Sequence, residues 1–289
     1  MRTNKKTKIK RLLWSLVLPL AVVACAKDMQ PIPDNRAFIV DNDISPMAAA
    51  SRTVNFSRPD GVYTKAQAEA DFGGAILNTW KQTDIYSNQA RVRVPANSLS
   101  NGNIVNIDVA DGTEYELSFR VRFGPNFDWS RGGKVGFGFH IGNGYTGCNK
   151  ADNGLGGTAR LMWYNGAGSK TNYVTGGTYF RPYVYYRDMP DNCGNSFGKQ
   201  SKQLNKNVWY TVKVRVKSNT GSAANGYVSY EIDGVTLLSQ SIRWTTNDDY
   251  RKIRYITFHT FRGGSQEYWQ STTDGLIYYD DLVFTRISS

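Results

Sequence analysis

Residues 132–142 place a lysine and a histidine on one face of a predicted strand. With a period of two, Lys134, Gly136, Gly138 and His140 share that face. The opposite face is a continuous apolar row of Val135, Phe137, Phe139 and Ile141. Glycine inside a strand often marks the close approach of a ligand. Lys134 and His140 could neutralise a carboxylate or exchange a proton, and the two glycines between them leave space for a ligand. The stretch therefore indicates a groove. A flat face packed against a second sheet is the alternative.

Further candidates lie on two later predicted strands. In residues 158–164, Arg160 shares a mixed face with Thr158, Met162 and Tyr164. In residues 179–186, Tyr183 and Tyr185 share a face. Aromatic packing within a sheet would also explain two tyrosines at this spacing.

Paired carboxylates would indicate a different chemistry. Glu231 and Asp233 share a strand face and offer the acid and base that a glycoside hydrolase needs. However, Asp233-Gly234 is typical of a hairpin turn. The hydrolase interpretation is therefore the weaker one.

The sequence offers little to hold a metal. His140 and His259 are its two histidines, and it has no CxxC motif or dense carboxylate loop. We expect neither a metal nor another cofactor.

The charge of the chain favours an anionic partner without requiring one. Lys and Arg number 35 against 24 acidic residues, for a net charge of +11. Part of this excess belongs to an N-terminal cluster of Arg2, Lys5, Lys6, Lys8, Lys10 and Arg11. The remaining modest excess suits an acidic polymer but lacks the dense basic stripe of a nucleic-acid binder.

The N-terminus is predicted to be an export signal. Basic residues precede a short apolar run that ends in small residues before Cys25, which resembles a bacterial lipoprotein signal. An ordinary secretory signal is the alternative. We expect a signal peptide over 1–24, lipidation of Cys25, a tether over 25–51 and one domain over 52–289. The protein would then be a monomer, anchored by lipid at the outer membrane or secreted, with no other membrane contact. Cys148 and Cys193 are the natural disulfide pair in such an oxidising compartment.

The remaining pattern predicts an all-β fold. Short alternating runs separated by glycine-rich turns favour a single-domain β-sandwich or jelly roll with a groove on one sheet. The predicted strands include residues 115–123, 132–142, 158–164, 179–186, 208–216, 227–232, 235–238, 254–261 and 276–284. Residues 64–71 are the best helix candidate, with Thr64 as its cap.

Several motifs together resemble polysaccharide lyase family 14, the alginate lyases and their glucuronan lyase relatives. They are Phe-Asp-Trp before Gly-Gly-Lys134, Ala-Arg160-Leu-Met-Trp, the Tyr183-x-Tyr185 pair, and Thr-Phe-Arg-Gly-Gly-Ser followed by Trp269. The resemblance spans roughly residues 115–284. It implies a concanavalin-like jelly roll and β-elimination of a polyuronate such as alginate.

The resemblance also implies which residues line the cleft: Lys134, Arg160, Tyr183 and Tyr185. Because a loop separates Arg160 from the tyrosine pair, Tyr173 and Tyr179 are alternatives. In β-elimination a base removes the proton on C5, beside the carboxylate, and the oxygen on C4 leaves. Fixed cations would stabilise the developing charge. We expect them to lower a tyrosine pKa enough for one phenol to act as base or acid.

The other expected site residues have supporting roles. His140 is expected to act as acid or base or to neutralise the carboxylate. The candidates for substrate contacts are Arg120, Arg122, Thr158, His259, Gln266 and Trp269. A carbohydrate-binding lipoprotein of the same fold, without catalysis, is the main rival interpretation.

Overall fold

A computed structural model describes residues 48–165 and 177–289. Its strands are β1 (Ser51–Val54), β2 (Gly61–Val62), β3 (Ile76–Leu77), β4 (Thr83–Ile85), β5 (Ala90–Val94), β6 (Asn103–Gly112), β7 (Glu114–Phe123), β8 (Gly132–Lys134), β9 (Phe137–Gly142), β10 (Gly156–Asn165), β11 (Thr178–Tyr185), β12 (Trp209–Lys217), β13 (Gly226–Ile232), β14 (Val235–Ile242), β15 (Ile253–Arg262) and β16 (Gly275–Ser288). Helix α1 is Lys65–Phe72, and two 3₁₀ turns are Asp248–Tyr250 and Glu267–Trp269. The predicted signal peptide, Cys25, most of the tether and Tyr173 lie outside the described residues.

The strands form two antiparallel sheets, which confirms the predicted sandwich. The nine-stranded sheet has the order β14-β13-β12-β7-β16-β5-β4-β2, with β1 on β16. The seven-stranded sheet has the order β11-β10-β8-β15-β6-β3, with β9 between β10 and β15. No helix in the described part of the chain is long and apolar enough to cross a membrane.

The core lies between the two sheets. Alternate residues of β7 point into it, and its Phe119 meets Phe137 of the other sheet with ring centroids 5.3 Å apart. Phe137 in turn stacks on Phe258 of β15 at 4.3 Å. Each buried aromatic side chain contributes about 1.5–3 kcal/mol by leaving water. This packing fixes which face of the seven-stranded sheet remains for a ligand.

The predicted helix and hairpin are both present. Thr64 caps α1: its hydroxyl accepts the amide of Gln67, and the Gln67 side chain accepts the amide of Thr64. Asp233 and Gly234 join β13 to β14 with φ of 50° and 78°, as a two-residue hairpin turn requires.

The predicted strand 132–142 is divided into β8 and β9. Val135 and Gly136 form an irregular break between them. Gly136 has φ +72°, and a Cβ there would lie 2.4 Å from the Phe119 ring. Lys134 still pairs with Met162 of β10, and Phe139 pairs with Ala159. Across this break the register against β10 shifts by an even number of residues. Lys134 therefore stays on the sheet face that also carries Thr158, Arg160 and the residues that pair with them.

Strand β6 was not predicted. It alternates, but Asn106 and Asp108 interrupt the apolar pattern, and these residue types are depleted in strands. In the structure β6 pairs with β15, placing Asn106 opposite Thr257. Its polar residues therefore belong to the same face as the predicted groove.

Candidate active site

The groove face of the seven-stranded sheet brings the predicted catalytic residues together. Across β10 and β11, Thr158 pairs with Tyr185 and Arg160 pairs with Tyr183. On its other side, Thr158 pairs with His140 of β9. Tyr179 pairs with Tyr164, further along the strand, so Tyr183 and Tyr185 are the tyrosines beside the arginine.

Two cations are buried at the centre of this face. Lys134 is 8% exposed and Arg160 is 3% exposed. The Lys134 ammonium lies 4.3 Å from the centroid of the Tyr183 ring. The Arg160 guanidinium lies 5.4 Å from the ring centroids of both Tyr183 and Tyr185. Within the described residues neither cation forms an ion pair with a carboxylate. Such uncompensated charge is costly unless a ligand neutralises it.

Burial changes the protonation of both cations. Loss of solvent, followed by repulsion from Arg160, lowers the pKa of Lys134 to about 7. Burial also lowers the pKa of Arg160. Arginine starts so high that it keeps its proton, whereas Lys134 is partly neutral at pH 7. A neutral amine beside a fixed guanidinium is a proton acceptor next to an anion-binding group.

The same face carries buried polar atoms without a hydrogen-bond partner among the described residues. They are Nε and Nη2 of Arg160, Nε2 of His140, Nδ1 of His259, Oγ1 of Thr257 and Oδ1 of Asn106. Buried polar groups in native proteins are normally satisfied. Their convergence on one face indicates a site built for a ligand with several oxygen atoms.

Both histidines are neutral at pH 7. Burial lowers the pKa of His140 to about 4, and that of His259 lies well below its usual value for the same reason. The amide of Asn106 lies 3.5 Å from His140 Nδ1. A Cβ on Gly144 would lie 1.7 Å from His140 Nε2, so this loop closes over the ring. His140 is thus a neutral, enclosed group rather than the charged neutraliser that we considered.

The expected fall in tyrosine pKa does not occur at Tyr183. Burial raises its pKa, and neighbouring Tyr185 raises it further, against the opposing effect of Arg160. Its hydroxyl lies 3.4 Å from that of Tyr185. Tyr183 is therefore a poor base near neutral pH and keeps a proton that it can donate.

The groove face also carries residues that were not among the predicted site residues: Asn106, Thr257 and Arg181. Arg181 of β11 pairs with Met162, which pairs on its other side with Lys134. The Arg181 guanidinium lies 4.4 Å from the Tyr164 ring centroid. The sequence could have identified Arg181, because it lies two residues before Tyr183 and so shares a strand face with the tyrosine pair.

Trp269 lies at the Tyr164 end of this face. Its ring centroid is 6.1 Å from that of Tyr164. Gln266 precedes it in an exposed turn, and its side chain bonds only to Ser265 among the described residues. Trp269 therefore packs beside the groove face, whereas Gln266 is exposed next to it.

Arg120 and Arg122 lie on the other sheet. Both point to solvent from β7, while Phe119 and Val121 point into the core. Their guanidinium groups lie 4.7 and 5.0 Å from the Trp209 ring centroid. The whole core separates them from Lys134, so the structure does not join them to the site. The alternation of residues along the sequence indicates that Arg120 and Arg122 face away from the core. It does not indicate which of the two sheets carries them.

The remaining predictions concern the cysteines, the paired acids and metals. The Cys148–Cys193 disulfide is present. Glu231 belongs to the nine-stranded sheet, and Asp233 accepts the Thr211 amide within its hairpin turn, so this pair does not meet the groove. The described residues contain no group of three or more His, Cys, Asp or Glu side chains that could hold a metal ion.

Comparison with known proteins gives the family. A family model described as Polysaccharide lyase 14 matches residues 73–282. The solved structure of the alginate lyase Aly36B is 46% identical, with a TM-score of 0.78 over 83% of this chain and 98% of that chain.

More distant relatives show the same fold. Alginate lyase vAL-1 from Chlorella virus is 20% identical, with a TM-score of 0.60 over 76% of this chain and 95% of that one. The marine PL-14 alginate lyase from Aplysia kurodai is 19% identical, with a TM-score of 0.62 over 83% and 99%. Exolysin of Paramecium bursaria Chlorella virus 1 is 29% identical over 167 residues, which are 51% of this chain and only 25% of Exolysin. The family match covers most of the chain together with the cation and tyrosine cluster, and the chain belongs to polysaccharide lyase family 14.

Proposed function

We propose that this protein cleaves a polyuronate, alginate above all, by β-elimination. The observation that carries the proposal is the buried Lys134–Arg160 pair, which has no carboxylate partner in the described residues and leaves two guanidinium nitrogens of Arg160 unbonded. A uronate carboxylate would satisfy both the charge and the hydrogen bonds. A neutral sugar would not.

Aly36B supports alginate as the substrate. A variant of Aly36B with a lysine and a tyrosine replaced by alanine was solved with alginate tetrasaccharide. Another, with a lysine and a methionine replaced, was solved with alginate trisaccharide. That lysine and methionine are separated by the same number of residues as Lys134 and Met162, which pair across β8 and β10.

The first step of the proposed reaction is removal of a proton. Arg160 holds the uronate carboxylate through its unbonded nitrogens and stabilises the charge that develops as the C5 proton leaves. Neutral Lys134 takes that proton and becomes an ammonium. The electron pair of the C5–H bond is delocalised into the carboxylate, and it forms the C4–C5 double bond only when the C4–O bond breaks.

The second step is departure of the oxygen on C4. Its bond to C4 breaks, and the oxygen takes the proton of the Tyr183 hydroxyl, which the raised pKa keeps in place. The Lys134 ammonium, close to the Tyr183 ring, then returns its proton to the phenolate. Both groups regain their starting states.

This mechanism fixes the direction of the pH dependence. Because the base is neutral Lys134, whose pKa is lowered to about 7, kcat/KM should fall about tenfold per pH unit below that value and level off above it. Initial rates at subsaturating alginate between about pH 5 and 9 measure this. A profile that falls with rising pH through neutrality would contradict Lys134 as the base.

Substrate choice is tested with the purified protein on alginate, its mannuronate-rich and guluronate-rich fractions, and glucuronan. The ultraviolet absorbance of the new double bond should rise on at least one. No rise on any of them, with binding retained, would favour the carbohydrate-binding alternative.

We also propose that Cys25 carries the lipid that anchors the monomer at the outer membrane, since Cys25 follows an apolar run and small residues. Labelled palmitate should enter the protein in the native host and not its Cys25→Ser variant. Equal labelling of both would contradict the anchor.

A further inference from the structure

Two loops joined by the disulfide cross over the tyrosine pair. One follows β9 and carries Cys148, and the other follows β11 and carries Cys193. Both cysteines are exposed, whereas Tyr185 is buried beneath them. The link therefore joins two segments that lie next to the proposed site, rather than two distant parts of the core.

Each loop contacts one tyrosine of the pair. The Cys148 amide donates to Tyr185 Oη at 3.0 Å. From the second loop, Gly194, the neighbour of Cys193, lies against the Tyr183 ring. The Gly194 backbone lies flat on the tyrosine, since a Cβ there would be 2.8 Å from the Tyr183 ring.

The second loop is also held to the strand between the tyrosines. Val184 donates its amide to the Asn195 carbonyl at 3.1 Å, and Asn195 returns a bond to Val184 at 2.9 Å. The first loop is held to β10 by Thr158 Oγ1, which donates to the Tyr145 carbonyl at 2.7 Å, and by a turn in which the Asn149 amide donates to the Thr146 carbonyl. Among the described residues no backbone pairing with a strand is found at Cys148 itself, where the disulfide is the cross-link.

The Cys148 amide sets the direction of the hydroxyl hydrogens. An oxygen that accepts an N–H must donate its own hydrogen elsewhere. Tyr185 has the Tyr183 oxygen 3.4 Å away as an acceptor. With Tyr185 donating to it, Tyr183 has the groove left for its own hydrogen.

We propose that the Cys148–Cys193 disulfide is a positioning element for catalysis: it holds the Cys148 amide on the Tyr185 hydroxyl, so that Tyr185 donates to Tyr183 and the Tyr183 hydrogen faces the leaving oxygen of the substrate. This inference rests on the proposed function. The disulfide acts through the tyrosines and does not touch the substrate.

A cross-link that merely stabilises the fold would lower the melting temperature and leave kcat of the folded protein intact. The positioning role instead predicts a loss in kcat that depends on the tyrosine hydroxyl. The comparison therefore needs the disulfide variant in two backgrounds, native and Tyr185→Phe.

The test measures kcat and KM of the C148S/C193S variant on alginate, well below its melting temperature. In the native background kcat should fall about tenfold, the value of one or two ordered hydrogen bonds, with KM changed less than about twofold. In the Tyr185→Phe background the same change should cost less than about twofold, because the Cys148 amide has no hydroxyl to hold. Asn192→Ala, an exposed change beside Cys193, is the matched control and should leave kcat intact.

Equal losses in the two backgrounds, or no loss in the native one, would overturn the positioning role. If the serine variant does not fold, Gly194→Ala keeps the disulfide and pushes the loop away from Tyr183. Its loss of kcat should likewise disappear in a Tyr183→Phe background. An inactive native protein would refute the proposed function itself, whereas an active one with additive losses would refute only this inference.

Discussion

Lys134→Ala should reduce kcat on alginate by about 10²–10⁴-fold, the range that a positioned general base contributes. The reason is that Lys134 lies on the groove face and burial lowers its pKa to about 7. Steady-state rates of absorbance increase measure the loss. The residual activity should also lose its rise with pH through neutrality, because the change removes the amine that titrates there.

Lys213→Ala is the matched control for this change. Lys213 is also a strand lysine, but it lies on the nine-stranded sheet, paired with Ser118 of β7. Its removal should leave kcat and KM within about twofold of the native values, as for most surface changes. A folded Lys134→Ala protein with more than about a tenth of native activity would remove Lys134 from the role of base.

Arg160→Ala should lower kcat/KM by about 10²–10³-fold, as expected for loss of a fixed group that stabilises developing charge. Arg160 is buried, faces both tyrosines and presents unbonded nitrogens to the groove. Arg160→Lys should recover only part of the loss, because an ammonium supplies charge without the planar fork that holds a carboxylate in two places. The measurement is kcat/KM on alginate at one fixed pH for the native protein, Arg160→Ala and Arg160→Lys.

Arg120→Ala is the control for the arginine series. The sequence made Arg120 a candidate for substrate contact, whereas the structure places it on the solvent face of β7 with its charge near Asp281. It should therefore bind and cleave alginate as the native protein does. A rise in KM comparable to that of Arg160→Ala would contradict the assignment of the groove to the seven-stranded sheet.

The sequence predicted the two-sheet architecture and much of the candidate site because alternation is a local property. Residues 158–164 and 179–186 each showed which side chains share a face, and their antiparallel pairing brings Arg160 beside Tyr183. A strand pattern cannot show which sheet the strand joins. Arg120 and Arg160 both lie on polar faces, and only the pairing of their strands separates them.

Other features depend on contacts that no local pattern contains. The break at Gly136 accommodates Phe119 from the opposite sheet, and the Gly136 amide bonds to Tyr279 Oη at 3.1 Å. The pKa of Tyr183 depends on the balance between burial and the nearby charge of Arg160, and burial has the larger effect. The sequence indicated both the cations and the phenol but not the depth at which they lie.

The central claim is that the Lys134–Arg160–Tyr183 cluster breaks the polymer by elimination, without adding water. The most direct measurement is mass spectrometry of the products formed from alginate in water labelled with heavy oxygen. Elimination predicts unsaturated oligosaccharides, with no heavy oxygen added as the bond breaks. Saturated products that gain one heavy oxygen per cleaved bond, at the new reducing end, would show hydrolysis and contradict the mechanism.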